Sequence, residues 1–164
     1  MNASTSLVEP TTDRQLLYPR IHEALSAILS GERNFLANMA NTSSLLFHSL
    51  PDLNWAGFYL FKKDQLVLGP FQGKPACVRI AVGKGVCGTA AQRRETLVIP
   101  DVHAFPEHIA CDDASRSEIV VPIIHNDRLI GVMDLDSPIV ERFNEIDAKG
   151  LEEVARILLN NSDV

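Results

Sequence analysis

Cys77, Cys87 and Cys111 are the chain's three cysteines, and an odd number cannot all be paired within it as structural cystines. A free cysteine often serves as a small buried hydrophobe, and that reading stays open for Cys77 and Cys87. It fits Cys111 poorly, because Cys111 stands before Asp112-Asp113 in a long polar segment. Cys87 follows the Gly83-Lys84-Gly85-Val86 turn at the start of a short predicted helix, and a helix N-terminus lowers a thiol pKa. The aspartates beside Cys111 act the other way and raise it. Zinc is a competing use: His103, His108 and Cys111 crowd one segment, with Cys87 as a fourth ligand. His103 and His108 have four residues between them, which fits half of a zinc signature. Cys77 and Cys87, with nine residues between them, do not supply the other half.

Asp134 and Asp136 interrupt an otherwise apolar strand, Leu129-Ile130-Gly131-Val132-Met133-Asp134-Leu135-Asp136, and alternate residues of a strand share a face. A solvated strand end accounts for Asp136, beside Ser137-Pro138. It accounts less well for Asp134, between Met133 and Leu135. Glu118 opens the partner arm and comes near Asp136 across the hairpin. Three carboxylates together repel unless a cation sits among them or one stays protonated. Both conditions suit a pocket for a ligand with an ammonium group and a step that needs an acid. Trp55 and Tyr59 share a strand face. Core packing is the ordinary reading; the other is an aromatic wall facing a polarised ligand.

These side chains need a scaffold, and the 164 residues are enough for one domain. The apolar fraction is 46% and the charged fraction 22%, as in an ordinary globular chain. A net charge of −6 with scattered basic residues argues against nucleic acid as a partner. No apolar run approaches the ~20 residues of a membrane span, and the N-terminus lacks the pattern of a secretory signal. The sequence therefore reads as cytoplasmic, with residues 1–14 as a flexible tail and 15–164 as the domain.

Apolar spacing predicts one helix through Ile21, Leu25, Ile28 and Leu29, ended by Ser30-Gly31, and another from Phe35 to Leu50, stopped by Pro51. Strands are predicted over 54–61 and 65–68, with a loop over 69–73. Another covers 76–80, with Ala76, Val78 and Ile80 on one face and Cys77 and Arg79 on the other. A short helix over 86–93 and a strand over 96–99 follow. Residues 100–115 form an irregular segment long enough to suggest a functional reason. A hairpin then turns at Asn126-Asp127. On its second arm Ile130, Val132, Asp134 and Asp136 share a face. A last helix covers 144–159. This order predicts an α+β fold, with a largely antiparallel sheet and terminal helices over one face.

Four blocks resemble one family: Asn-Trp-Ala-Gly-Phe-Tyr at 54–59, Leu-Gly-Pro-Phe-Gln-Gly at 68–73, Gly-Lys-Gly-Val-Cys-Gly at 83–88 and Gly-Val-Met-Asp-Leu-Asp-Ser-Pro at 131–138. With the three cysteines they resemble the free methionine-(R)-sulfoxide reductases, which are stand-alone GAF domains. The resemblance runs from about residue 15 to the end. It implies a six-stranded antiparallel sheet, a homodimer and reduction of the free R-sulfoxide. It also implies no bound cofactor, with electrons from thioredoxin and ultimately NADPH. By match of position Cys111 is the attacking cysteine, Cys77 the main resolving one and Cys87 an auxiliary partner. Trp55 and Tyr59 match the pocket wall, and Glu118, Asp134 and Asp136 its polar side. The sulfoxide oxygen leaves only as it gains protons, which makes a carboxylic acid kept protonated by its neighbours, Glu118 or Asp136, the expected donor. The competing reading is a GAF module that senses a small ligand without catalysis, acting on a partner in trans.

Overall fold

The computed structural model describes residues 8, 11, 13–106 and 113–164. Helices α1 (Arg14–Leu29) and α2 (Phe35–Ser49) lead into β1 (Trp55–Lys62), β2 (Gln65–Gly73) and β3 (Arg79–Ala81). Helix α3 (Gly85–Arg93), β4 (Leu97–Ile99), β5 (Ser117–His125), β6 (Arg128–Ser137) and α4 (Glu145–Asn160) follow. The strands form one six-stranded sheet in the order β3-β2-β1-β6-β5-β4, every pairing antiparallel. Both hairpin turns, at Lys63-Asp64 and Asn126-Asp127, have two successive left-handed residues. That backbone matches the twist of the flanking strands. Among the described residues no helix is long and apolar enough to cross a membrane.

Strand alternation divides the apolar residues between two cores. Ala56, Phe58, Ile119, Val121, Met133 and Leu135 face the main core with α1, α2 and α4. On α1, Leu17, Ile21, Leu25 and Leu29 recur every fourth residue and are fully buried there. Each such burial contributes roughly 1.5–3 kcal/mol. Trp55, Tyr59, Val120 and Val132 face the other way, with Cys87, Ala90 and Ala91 of α3. This second, smaller core leaves room for polar groups.

Strand β2 runs unbroken through the predicted loop at 69–73. Between Gly57 and Tyr59, β1 takes two steps while β2 takes three, from Phe71 to Leu68. The extra residue is a bulge that accommodates Pro70, which has no N–H to give the ladder. A second bulge corrects the face assigned to Ile130: β6 passes from Gly131 to Leu129 while β5 passes from Ile123 to Ile124. Ile130 packs against the main core, whereas Val132 stays in the smaller one. The strand predicted over 76–80 begins only at Arg79, where pairing with Val67 starts. Cys77 therefore lies in the preceding loop and Val78 is exposed. Of the predicted tail, residues 1–7, 9, 10 and 12 lie outside the described residues. Val8 is buried in the main core and the Asp13 side chain caps α1.

Candidate functional site

The three central strands bring the singled-out side chains into adjacent rows. Trp55 of β1 is opposite Asp136 of β6, which is opposite Glu118 of β5. One row on, Gly57 is opposite Asp134 and Asp134 opposite Val120. Trp55, Asp136, Glu118 and Asp134, with Tyr59 and Cys87, line a cavity of about 40 Å³ closed by Lys74, Pro75, Ala76, Ile80, Lys84, Gly85, Val86 and Ser115.

The aromatic wall is fixed from several sides. The Trp55 ring stacks on Phe71 at 5.3 Å and on Tyr59 at 5.8 Å, and its Nε1–H donates to the Lys74 carbonyl at 3.2 Å. Gly57 makes this possible, because a Cβ there would stand 2.8 Å from Trp55 Cη2 and 2.8 Å from Phe71 Cα. Gly57→Ala is expected to cost about 1–3 kcal/mol by overpacking. That lowers the melting temperature by roughly 3–10 °C for a domain of this size. Trp55 is the chain's single tryptophan, so its emission spectrum reads the displacement directly. An unchanged spectrum and melting temperature would show that the wall does not depend on Gly57.

Burial governs the acidic side. Glu118 and Asp134 are each 6% exposed. Desolvation, followed by the charges of Asp134 and Asp136, pushes the Glu118 carboxyl well above the usual carboxylate range. Desolvation likewise pushes Asp134 up to about 7. Its Oδ1 is buried without a hydrogen-bond partner among the described residues. At neutral pH this pair holds protons that exposed carboxylates would release. Desolvation, then the nearby Asp134, Cys87, Asp136 and Glu118, also keeps Tyr59 a neutral phenol.

The helix N-terminus does not activate Cys87. Burial, then Asp134, Glu118 and Asp136, raise its pKa well above that of a free thiol. Its Sγ donates toward Glu118 Oε1 at 3.9 Å. Cys87 is free, whereas Cys77 is disulfide-bonded. Cys111 and His108 lie outside the described residues. His103 sits on the 3-10 turn Val102–Ala104 with its ring bonded to Asp101 at 3.2 Å. Among the described residues it joins no cluster of metal-binding side chains.

Two parts of the cavity escaped the sequence reading. One is the wall at Lys74–Ala76, placed by the path of the chain between β2 and β3. The other is the N-terminus of α3, where no side chain caps the helix and Gly85 and Val86 face the cavity. The Gly-Lys-Gly turn without a capping Ser, Thr, Asp or Asn was the available signal. Uncapped amides at a helix start attract a carboxylate. The cavity thus offers an aromatic wall, acidic groups for an ammonium, amides for a carboxylate and a retained proton.

A family model for the GAF domain matches residues 13–159. The free methionine-R-sulfoxide reductase of Escherichia coli (strain K12) is 54% identical over 137 residues, covering 84% of this chain and 83% of that protein. The Saccharomyces cerevisiae protein of the same name is 46% identical over 172 aligned positions, covering 100% and 92%. The X-ray structure of free methionine-R-sulfoxide reductase from Neisseria meningitidis in complex with its substrate has a TM-score of 0.89 at 44% identity, covering 92% of this chain and 91% of that one.

Proposed function

This chain belongs to the GAF-domain family and, within it, to the free methionine-R-sulfoxide reductases, and from that premise we propose how its own residues carry out the reaction. The protein reduces free methionine-R-sulfoxide to methionine by cysteine chemistry. The substrate's ammonium sits between Asp134 and Asp136, and its carboxylate meets the first amides of α3. Trp55 and Tyr59 hold the methyl-sulfur end. A peptide-bound sulfoxide lacks both charged groups, which makes the site selective for the free amino acid.

Cys111 attacks the sulfoxide sulfur as the oxygen gains a proton from Glu118. Oxygen passes to the cysteine: the substrate sulfur gains two electrons, methionine leaves, and Cys111 becomes a sulfenic acid. The Cys77 thiol then displaces that oxygen as water, forming the Cys77–Cys111 disulfide. Thioredoxin reopens it, drawing ultimately on NADPH. Cys87 is the auxiliary thiol. The observation that carries the acid assignment is the burial of Glu118 against Asp134, which keeps a proton where the oxygen needs one. The Cys77 assignment is supported by its being disulfide-bonded while Cys87 is free. Cys77 adjoins the Lys74–Ala76 wall, so opening its disulfide frees that wall to admit a ligand larger than the 40 Å³ cavity. The family resemblance also supports a homodimer working in the cytoplasm, where thioredoxin is reduced.

The deciding assay couples sulfoxide reduction to thioredoxin oxidation, using each free epimer and a sulfoxide-containing peptide. Turnover with the free R epimer alone is expected. Mass spectrometry after one turnover without reductant should find a Cys77–Cys111 link; a Cys87–Cys111 link would make Cys87 the resolving residue. Binding of the free amino acid without turnover would favour a sensing module.

A further inference from the structure

We propose that Cys87, Glu118 and Asp134 form a zinc site overlapping the substrate's ammonium position, so that zinc inhibits the reductase competitively. The zinc site stands on geometry alone; its competition with substrate rests on the placement proposed above. One ligand atom from each residue, the thiol sulfur and two carboxylate oxygens, lies within 4.8 Å of the others. The three side chains come from α3, β5 and β6, all are buried, and β5 and β6 are paired along their length. Asp134 is 6% exposed, lines the cavity and keeps its buried Oδ1 without a partner among the described residues. That carboxylate therefore carries an oxygen already stripped of water and still lacking a partner among the described residues.

Donor chemistry selects the metal. Magnesium and calcium take oxygen ligands in larger shells, whereas a thiolate with two carboxylates suits zinc or its borderline-soft relatives. Zinc–sulfur and zinc–oxygen distances of roughly 2.3 and 2.0 Å in a tetrahedron place sulfur about 3.5 Å from oxygen. Cys87 Sγ and Glu118 Oε1 are 3.9 Å apart, so a few tenths of an ångström closes that edge, and side-chain rotation has to bring in the Asp134 oxygen from within 4.8 Å. All three ligands line the cavity that Asp136 and Trp55 also line, so a fourth position would open onto it. The metal would give up its bound water on the cavity side, and it excludes the ammonium because both are cations held by Asp134. No redox step is involved.

The test uses the full chain carrying Cys77→Ser and Cys111→Ser, which leaves Cys87 as its single thiol. Cobalt(II) serves as the spectroscopic stand-in and zinc as its competitor. A sulfur-to-cobalt charge-transfer band is expected at one cobalt per chain, with stoichiometric zinc erasing it. Glu118→Gln should weaken cobalt binding by at least about tenfold. A missing band, or one indifferent to Glu118→Gln, overturns the site. Should that variant fail to fold, a second readout leaves all three ligands in place. Cobalt bound there lies beside the single tryptophan and should quench its emission. Free methionine-R-sulfoxide should raise the cobalt needed for half-quenching at least threefold. Absent quenching overturns the metal site; quenching indifferent to the substrate overturns the competition, while turnover by the metal-free native chain tests the reductase reading separately.

Discussion

Cys111→Ser is expected to slow reduction of free methionine-R-sulfoxide by on the order of 10³-fold or more, because it removes the proposed nucleophile and leaves the cavity's lining residues unchanged. A serine hydroxyl stays protonated at neutral pH, attacks sulfur poorly and cannot accept the oxygen as a sulfenic acid. Binding should survive. In the proposed placement the ammonium, carboxylate and methyl-sulfur contacts come from Asp134, the α3 amides and Trp55, so the Trp55 emission should still respond to substrate with its midpoint moved by no more than about threefold. Cys77→Ser separates the two halves of the cycle. It should release about one methionine per chain and then stop with thioredoxin as reductant, since the sulfenic acid forms but does not close to its usual disulfide. Native turnover by the Cys111→Ser chain would remove Cys111 from the mechanism and pass the attack to another thiol.

Some of this site was legible because strand alternation leaves marks in sequence. Trp55 and Tyr59, four positions apart and alternating with the core residues Ala56 and Phe58, and Asp134 and Asp136 inside an apolar run, announce a face that is not simply core. The cross-strand rows joining Trp55, Asp136 and Glu118 depend on register. Register follows from the two tight turns, whose residues were read correctly as turns. Bulges were not legible. Gly69-Pro70 has the composition of a loop, and only its pairing with β1 shows a strand that absorbs a proline. Ile130 changed faces for the same reason. Charge environment was harder still. A helix start by itself lowers a thiol pKa, yet at Cys87 burial and three neighbouring carboxyls outweigh it. That balance depends on β5 and β6, distant in sequence. The buried ion network under α4 also left no trace: Tyr18 donates to Asp147 at 2.9 Å, and Arg142 pairs with the same carboxylate at 3.2 Å.

Asp134→Asn is expected to make the folded chain more stable at pH 8 while disabling it. The folded-state pKa of Asp134 is raised from 3.8 to about 7, above its unfolded value. The folded chain therefore binds more protons than the unfolded one between about pH 4 and pH 7, and stability falls as pH rises through that window. Above it the carboxylate is charged in both states and the penalty is complete. A shift of this size corresponds to roughly 4 kcal/mol at ~1.4 kcal/mol per unit. Asparagine still buries a polar group, so a gain of about 2 kcal/mol is the reasonable expectation. It appears as a rise of roughly 4–8 °C in melting temperature at pH 8, shrinking towards zero near pH 4. Loss of the charge facing the ammonium should lower kcat/KM by about 10²-fold, the worth of one charged hydrogen bond, mostly through KM. An aspartate that costs stability at neutral pH is explained if its charge is completed only by a cation entering the cavity. A less stable Asp134→Asn chain at pH 8 would mean that the carboxylate is already compensated in the folded protein, and the ammonium would then have to be held elsewhere.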